Sequence, residues 1–130
     1  MLKILLASPR GFCAGVTRAL QSVDQVLDEY PPPIYIYHDI VHNTFIIDEL
    51  KKRGVIFVDS LDDVPDGKVI IFSAHGVSPA VEADARNKNL KIIDATCPLV
   101  KKIHTKVKNY LKQKKLIILI GHKDHPEIVG

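Results

Sequence analysis

Two cysteines and a set of histidines arriving at matched places along the chain hold its capacity for chemistry. Cys13 lies in Pro9-Arg10-Gly11-Phe12-Cys13-Ala14-Gly15-Val16 and Cys97 in Asp94-Ala95-Thr96-Cys97-Pro98. Each follows an apolar run and precedes a helical pattern. A thiol at such a strand-to-helix turn faces the positive end of the helix, which favours the thiolate that binds metal or attacks electrophiles. The plainer reading of a lone cysteine there is a small residue at a tight turn. The pair has no disulfide-framework spacing, so in a reducing compartment the two are expected to be free thiols or metal ligands.

Two separated thiols suit a soft centre, either zinc or an iron–sulfur cluster. A zinc site built from Cys13, Cys97 and a histidine is chemically possible, although no short Cys-x-x-Cys or His-x-x-x-His pairing supports it. The histidines suit a different task. His42, His75, His122 and His125 sit beside expected helix starts, where imidazole and exposed backbone N–H groups can both donate to phosphate oxygens. Glu127, close to an anion and a metal, could relay protons. Gly11 and Gly15 match neither a dinucleotide fingerprint nor a P-loop.

These residues need elements to position them. Leu2 to Ala7 reads as a buried strand, followed by a helix with Val16, Leu20, Val23 and Leu27 on one face, which stops before Pro31-Pro32-Pro33. Ile34 to Tyr37 is the second strand, ending at His38-Asp39-Ile40-Val41-His42. Asn43 is a good N-cap for a helix carrying Ile46, Ile47 and Leu50, and Gly54 suits its end. Val55 to Val58 is a third strand, leading into an acidic loop from Asp59 to Gly67 that adds no chemistry comparable to the other strand ends. Val69 to Phe72 is a fourth, running into Ser73-Ala74-His75-Gly76-Val77, and Ser78-Pro79 then opens a helix that ends near Asn89. Leu90 to Ile93 is a fifth strand; Pro98 opens a helix with Val100, Ile103, Val107 and Leu111 on one face; Leu116 to Ile120 is a sixth strand. His-Pro-Glu at 125–127 resembles a further helix entry, which suggests a cut chain.

Strands alternating with helices imply an α/β fold, with parallel sheets and helices on both faces. In such folds ligands bind beyond the carboxyl ends of the strands. Cys13, His42, His75, Cys97, and the group of His122, His125 and Glu127 each follow a different strand, so five arrivals share one edge.

Composition limits the function classes. The chain of 130 residues has a net charge of +3 and is 25% charged, the profile of a soluble globular protein. Lys101, Lys102, Lys106, Lys108, Lys112, Lys114 and Lys115 read as the solvated face of a helix, and with few aromatics among them nucleic-acid binding gains little support. No apolar run approaches the ~20 residues needed to cross a bilayer. The first residues run straight into a strand without room for a leader, so a cytoplasmic location is expected.

Five stretches together resemble the LytB family of 4-hydroxy-3-methylbut-2-enyl diphosphate reductases: Pro-Arg-Gly-Phe-Cys-Ala-Gly-Val at 9–16, His-Asp-Ile-Val-His-Asn at 38–43, Phe-Ser-Ala-His-Gly-Val-Ser at 72–78, Asp-Ala-Thr-Cys-Pro-Leu-Val at 94–100 and Gly-His-Lys-Asp-His-Pro-Glu at 121–127. The resemblance covers the whole chain, as the N-terminal portion of such an enzyme. It implies a [4Fe-4S] iron–sulfur cluster held by three cysteines, of which Cys13 and Cys97 match two and the third lies beyond this sequence. It implies that His42, His75 and His125 bind the substrate's diphosphate and that Glu127 relays protons, with no role carried onto His122. The implied reaction is the reductive dehydroxylation of an allylic diphosphate to isopentenyl and dimethylallyl diphosphates, the last step of the methylerythritol phosphate route to isoprenoids. Ferredoxin or flavodoxin would supply the electrons, and neither nucleic acid nor membrane is an implied partner. The implied architecture is three-lobed: residues 14–96 form the first α/β unit, 97–130 begin the second, and the strand within 1–13 packs with a third unit absent here. The chain alone is expected to be inactive. The alternatives are a non-catalytic α/β remnant without a cluster, and the zinc hydrolase that Cys13, Cys97 and a histidine would make.

Overall fold

The computed structural model describes residues 2–123 and 125–129; Asp124 of the motif at 121–127, together with Met1 and Gly130, lies outside them. The apolar stripe on α1 (Ala14–Glu29) buries Ala19, Val23 and Val26, and the helix stops at Tyr30 ahead of the three prolines. Proline lacks the N–H that another helical turn would require. Ile34–Tyr37 forms β1 and Thr44–Lys52 forms α2. Asn43 caps α2 as expected, its side-chain oxygen accepting the Ile46 N–H at 3.2 Å. Gly54, at φ +90°, makes the turn from α2 into β2 (Val55–Val58). Pro32 lies where a side chain on Gly54 would sit, its Cβ 2.7 Å from that position.

A single 3₁₀ turn at Leu61–Asp63 leads towards β3 (Val69–Phe72). Ser78 accepts the Val81 N–H and Pro79 starts α3 (Pro79–Asn87). β4 (Lys91–Asp94), α4 (Pro98–Lys112) and α5 (Pro126–Val129) follow.

The four strands form one parallel sheet in the order β2-β1-β3-β4. Alternation along each strand divides the core into two layers. Ile34, Ile36, Val55, Val69 and Ile71 pack with residues of α1 and α2 on one face. Tyr35, Val58, Ile70 and Phe72 pack with Ala85 of α3 and with Leu61 and Val64 on the other. Because β2 and β3 lie on opposite sides of β1, the order in which strands are added to the sheet reverses between β1 and β3. Their carboxyl ends therefore border the crevice in which ligands of open α/β sheets bind.

Two expected strands do not form. Leu2–Ala7 and Leu116–Ile120 have no strand pairing, and Leu2 and Ile120 are 87% and 90% exposed. Their hydrophobicity alone gives no ladder: a strand exists through the N–H and C=O groups of a neighbour, and neither run lies in register with the edge strands β2 or β4. The apolar face expected on α4 is present in sequence but unburied, since no residue of α4 is buried among the described residues. The lysines between 101 and 115 are exposed, in keeping with a solvated face.

Candidate functional site

Cys13 and Cys97 are the residues immediately before α1 and α4, and neither side chain bonds a backbone N–H of its own helix. The first-turn N–H groups of a helix have no intrahelical partner, so each cysteine stands at the positive end of its helix. A methyl group built on Gly15 would lie 2.6 Å from Cys97 Sγ and 3.8 Å from Cys13 Sγ, so both sulfurs border the same point. The Cys97 N–H donates to the Ala74 carbonyl at 3.0 Å, which fixes this thiol's backbone to the loop that carries His75.

His75 lies on a tight turn after β3, closed by the Gly76 N–H donating to the Ser73 carbonyl at 3.1 Å. Gly76 has φ +82°, and a Cβ there would press on Thr96 and His104 at 3.2 and 3.3 Å, so glycine serves both the backbone and the packing. His42 follows the buried Ile40 and Val41 and precedes the capping Asn43, an arrangement that leaves its ring outside the core. The two imidazoles meet at the crevice between β1 and β3, stacked with centroids 4.4 Å apart and planes at 27°. His125 stands edge-on to both, 5.5 Å from His42 and 5.9 Å from His75.

Cys13, His42, His75, Cys97 and Glu127 line one cavity of about 550 Å³, with Val41, Ala74, Leu99, Val100 and Ile103 forming much of its apolar wall. Five of the residues singled out in the sequence thus share a cavity, with His125 beside its histidines. His122 is not brought in; it is exposed, and its carbonyl accepts the His125 N–H at 3.0 Å.

The protonation pattern follows from the contacts. Burial pushes the His75 imidazole below the ordinary histidine range; the Glu127 carboxylate opposes that shift and the His42 ring adds to it. Nδ1 of His75 faces Glu127 Oε1 at 3.4 Å, and its Nε2 is buried with no hydrogen-bond partner among the described residues. A neutral ring donating from Nδ1 leaves Nε2 as a bare acceptor. His125 has the opposite tautomer: its Nδ1 accepts the Glu127 N–H at 3.3 Å, which leaves Nε2–H free to donate.

The end of β2 contributes more than the sequence suggests. Asp59 bonds His38 Nδ1 at 3.0 Å, and the pair lines a recess of about 330 Å³ with Asp39, His42 and His75. Asp59 was legible only as part of an acidic loop; its role depends on the parallel register that sets Tyr37 beside Val58. Gly76, Thr96 and His104 also carry no motif-level signal of their packing beneath the His75 turn.

Two thiols at helix starts, facing a glycine notch, fit a soft metal centre as two of its ligands. Among the described residues no group of three His, Cys, Asp or Glu side chains is arranged to hold a metal ion. The zinc site of Cys13, Cys97 and a histidine therefore has no assembled ligand set among the described residues.

The LytB protein family model matches residues 4–130. The chain belongs to the LytB family. It is 54% identical over 129 residues to the 4-hydroxy-3-methylbut-2-enyl diphosphate reductase of Acinetobacter baylyi and 53% identical over 129 residues to that of Psychromonas ingrahamii, covering 99% of this chain and 41% of each relative. The structure of the E-1-hydroxy-2-methyl-but-2-enyl-4-diphosphate reductase from Plasmodium falciparum superimposes with a TM-score of 0.91 at 50% identity, covering 95% of this chain and 39% of that one. A second solved structure, an (E)-4-hydroxy-3-methyl-but-2-enyl diphosphate reductase, gives 0.84 at 37% identity, over 100% of this chain and 46% of that one. This LytB chain thus spans about 41% of the length of the curated relatives it matches. The α/β fold expected from the sequence is the fold of the family.

Proposed function

We propose that this LytB chain carries the diphosphate-binding histidines and two of the cluster thiols of a reductase that converts (E)-4-hydroxy-3-methylbut-2-enyl diphosphate to isopentenyl and dimethylallyl diphosphates. The observation that carries the reading is the single cavity at the β1/β3 switch point shared by Cys13, Cys97, His42, His75 and Glu127. Residues 14–96 would be the first α/β unit and 97–130 the start of the second, a division supported by every buried hydrophobic residue among those described lying between Ala19 and Ala95. The stretch 1–13 would pack against a third unit.

An iron–sulfur cluster of the [4Fe-4S] type, when bound, supplies electrons and a Lewis-acidic iron towards the allylic hydroxyl. The chain's own residues perform the rest. Cys13 and Cys97 would hold that group as two of its thiolate ligands. His125, with Nε2–H free, and His42 and His75, once protonated, donate to the diphosphate oxygens. The apolar wall from Val41, Ala74, Leu99, Val100 and Ile103 accommodates the five-carbon chain. Glu127, next to His75 and half-exposed, connects the cavity with solvent and moves protons inward. Two electrons and two protons replace the C–O bond with C–H and release the hydroxyl as water. A ferredoxin or flavodoxin is the expected electron donor, and the cytoplasm the expected location.

Anaerobic purification tests the reading. A chain that takes up iron and acid-labile sulfide and turns brown supports the cluster; a colourless chain supports a non-catalytic α/β remnant. In the complete enzyme, Glu127→Gln is expected to lower product formation by about 10²-fold or more, the usual scale for losing a positioned proton donor, with cluster content unchanged. An unaltered rate removes Glu127 from the proton path.

A further inference from the structure

Of the two glycines that flank Cys13, Gly11 has φ +115° and nothing within 4 Å of a would-be Cβ, so it answers to the backbone. Gly15 is different. It lies in the first turn of α1 with no left-handed φ, and it is buried. Alanine would suit that backbone better than glycine does. What forbids a side chain is the neighbour: a Cβ would meet Cys97 Sγ at 2.6 Å and Cys97 Cβ at 3.3 Å, with Cys13 Sγ at 3.8 Å.

The sulfur is the free end of a side chain with one rotatable bond, so the fold can accept a methyl group at position 15 by turning the Cys97 thiol away. Backbone contacts would survive that rotation, since the Cys97 N–H to Ala74 carbonyl bond does not involve Sγ. The direction of the thiol would not. We propose that Gly15 is a positioning residue for metal binding: the space it leaves between α1 and α4 holds the Cys97 sulfur towards Cys13, so that one helix start orients both thiols. This rests on the cluster reading above and adds a residue that ligates nothing itself.

Cadmium(II) is a suitable probe because it binds thiolates without added sulfide or a redox step, and its ligand-to-metal charge-transfer absorption reports sulfur coordination directly. The reduced chain is expected to bind cadmium through both thiols, with the signal diminished in Cys13→Ser and in Cys97→Ser. Gly15→Ala is expected to bind about tenfold more weakly or worse, the scale on which displaced supporting residues weaken metal sites. Its circular dichroism spectrum should match the parent's.

Thermal melts separate fold from site. If Gly15→Ala melts lower than the parent, the loss should shrink when Cys97→Ala is the background, because the sulfur at 2.6 Å is gone and only the Cβ contact at 3.3 Å stays. Equal losses in both backgrounds overturn the proposal, since the methyl group would then be meeting something other than Sγ. Cadmium affinity within about twofold of the parent in Gly15→Ala overturns it as well, against the tenfold scale expected. Iron and sulfide uptake by the parent chain tests the cluster reading separately: if that fails while Gly15→Ala still weakens cadmium binding, the cluster reading falls and the positioning role stands.

Discussion

His75 concentrates the electrostatics of the site on one ring. It is 7% exposed, stacked on His42, and buried at a nitrogen that has no partner among the described residues. Burial lowers its pKa from the ordinary 6.5, so near neutral pH the free protein holds it uncharged. In the window between the folded and unfolded values the unfolded chain binds more protons. This group's stabilisation is therefore present above 6.5 and lost as pH falls through the lower folded value. A diphosphate beside the ring reverses the balance, because an anion favours imidazolium and supplies Nε2 with an acceptor. Inorganic pyrophosphate should then bind with net proton uptake and gain up to about tenfold in affinity per pH unit as pH is lowered, for each proton taken up. Calorimetry in two buffers of different ionisation enthalpy measures that proton directly. His75→Gln should both weaken binding and flatten the pH dependence; a pH dependence that survives the substitution would assign the proton to His42 or His125.

At the scale of elements, caps and periodicity were legible and partners were not. Asn43, Gly54, Ser78 and Pro98 mark helix ends in the sequence through local chemistry, and each occupies the expected place. The runs Leu2–Ala7 and Leu116–Ile120 are as apolar as the true strands, but pairing depends on a neighbour that no local pattern encodes. The same limit hid Asp59: its bond to His38 exists because two strands of unrelated sequence lie side by side. The edge that carries the candidate site, by contrast, was legible for His42, His75 and Cys97, because parallel strands place their carboxyl ends together; Cys13, His125 and Glu127 follow runs that form no strand, so that reasoning does not account for their place. Asn43 shows how one cap serves both element and site. Its side chain holds the start of α2, and its backbone N–H donates to the Val41 carbonyl at 2.8 Å across His42. Asn43→Ala is expected to cost about 1 kcal/mol of stability by thermal melting, the usual value of an N-cap. The His42 ring resonances in an NMR spectrum should shift with it, whereas Asn43→Asp, which keeps the acceptor, should leave both nearly unchanged.

Across the whole molecule, burial is distributed unevenly. Among the described residues every buried hydrophobic one falls between Ala19 and Ala95, within the first proposed unit. No residue of α4 is fully buried, and Leu2, Leu5, Leu6, Leu116, Ile118 and Ile120 are all strongly exposed. The ties across the proposed unit boundary are small and polar: a half-exposed ion pair of Lys101 in α4 with Asp94 in β4, the Cys97 to Ala74 backbone bond, and the contacts of His125 and Glu127 with His42 and His75. An ion pair so open to solvent contributes no more than about 1 kcal/mol. Burial pushes the Asp94 carboxyl up, but Lys101 and the Thr96 N–H outweigh it and hold the group below its ordinary 3.8, so this small contribution is present above that value and is lost as pH falls through the lower folded one. If the core alone decides stability, residues 14–96 should fold by themselves, unfold cooperatively, and melt within a few degrees of the full chain. The full chain should differ in another way: its uncovered apolar runs should bind a hydrophobic dye such as ANS, which the 14–96 segment should largely fail to do. Were 14–96 to melt far below the full chain, or without a cooperative transition, α4 and the flanking runs would have to contribute stability that their exposure does not account for, and the boundary at residues 96 and 97 would be misplaced.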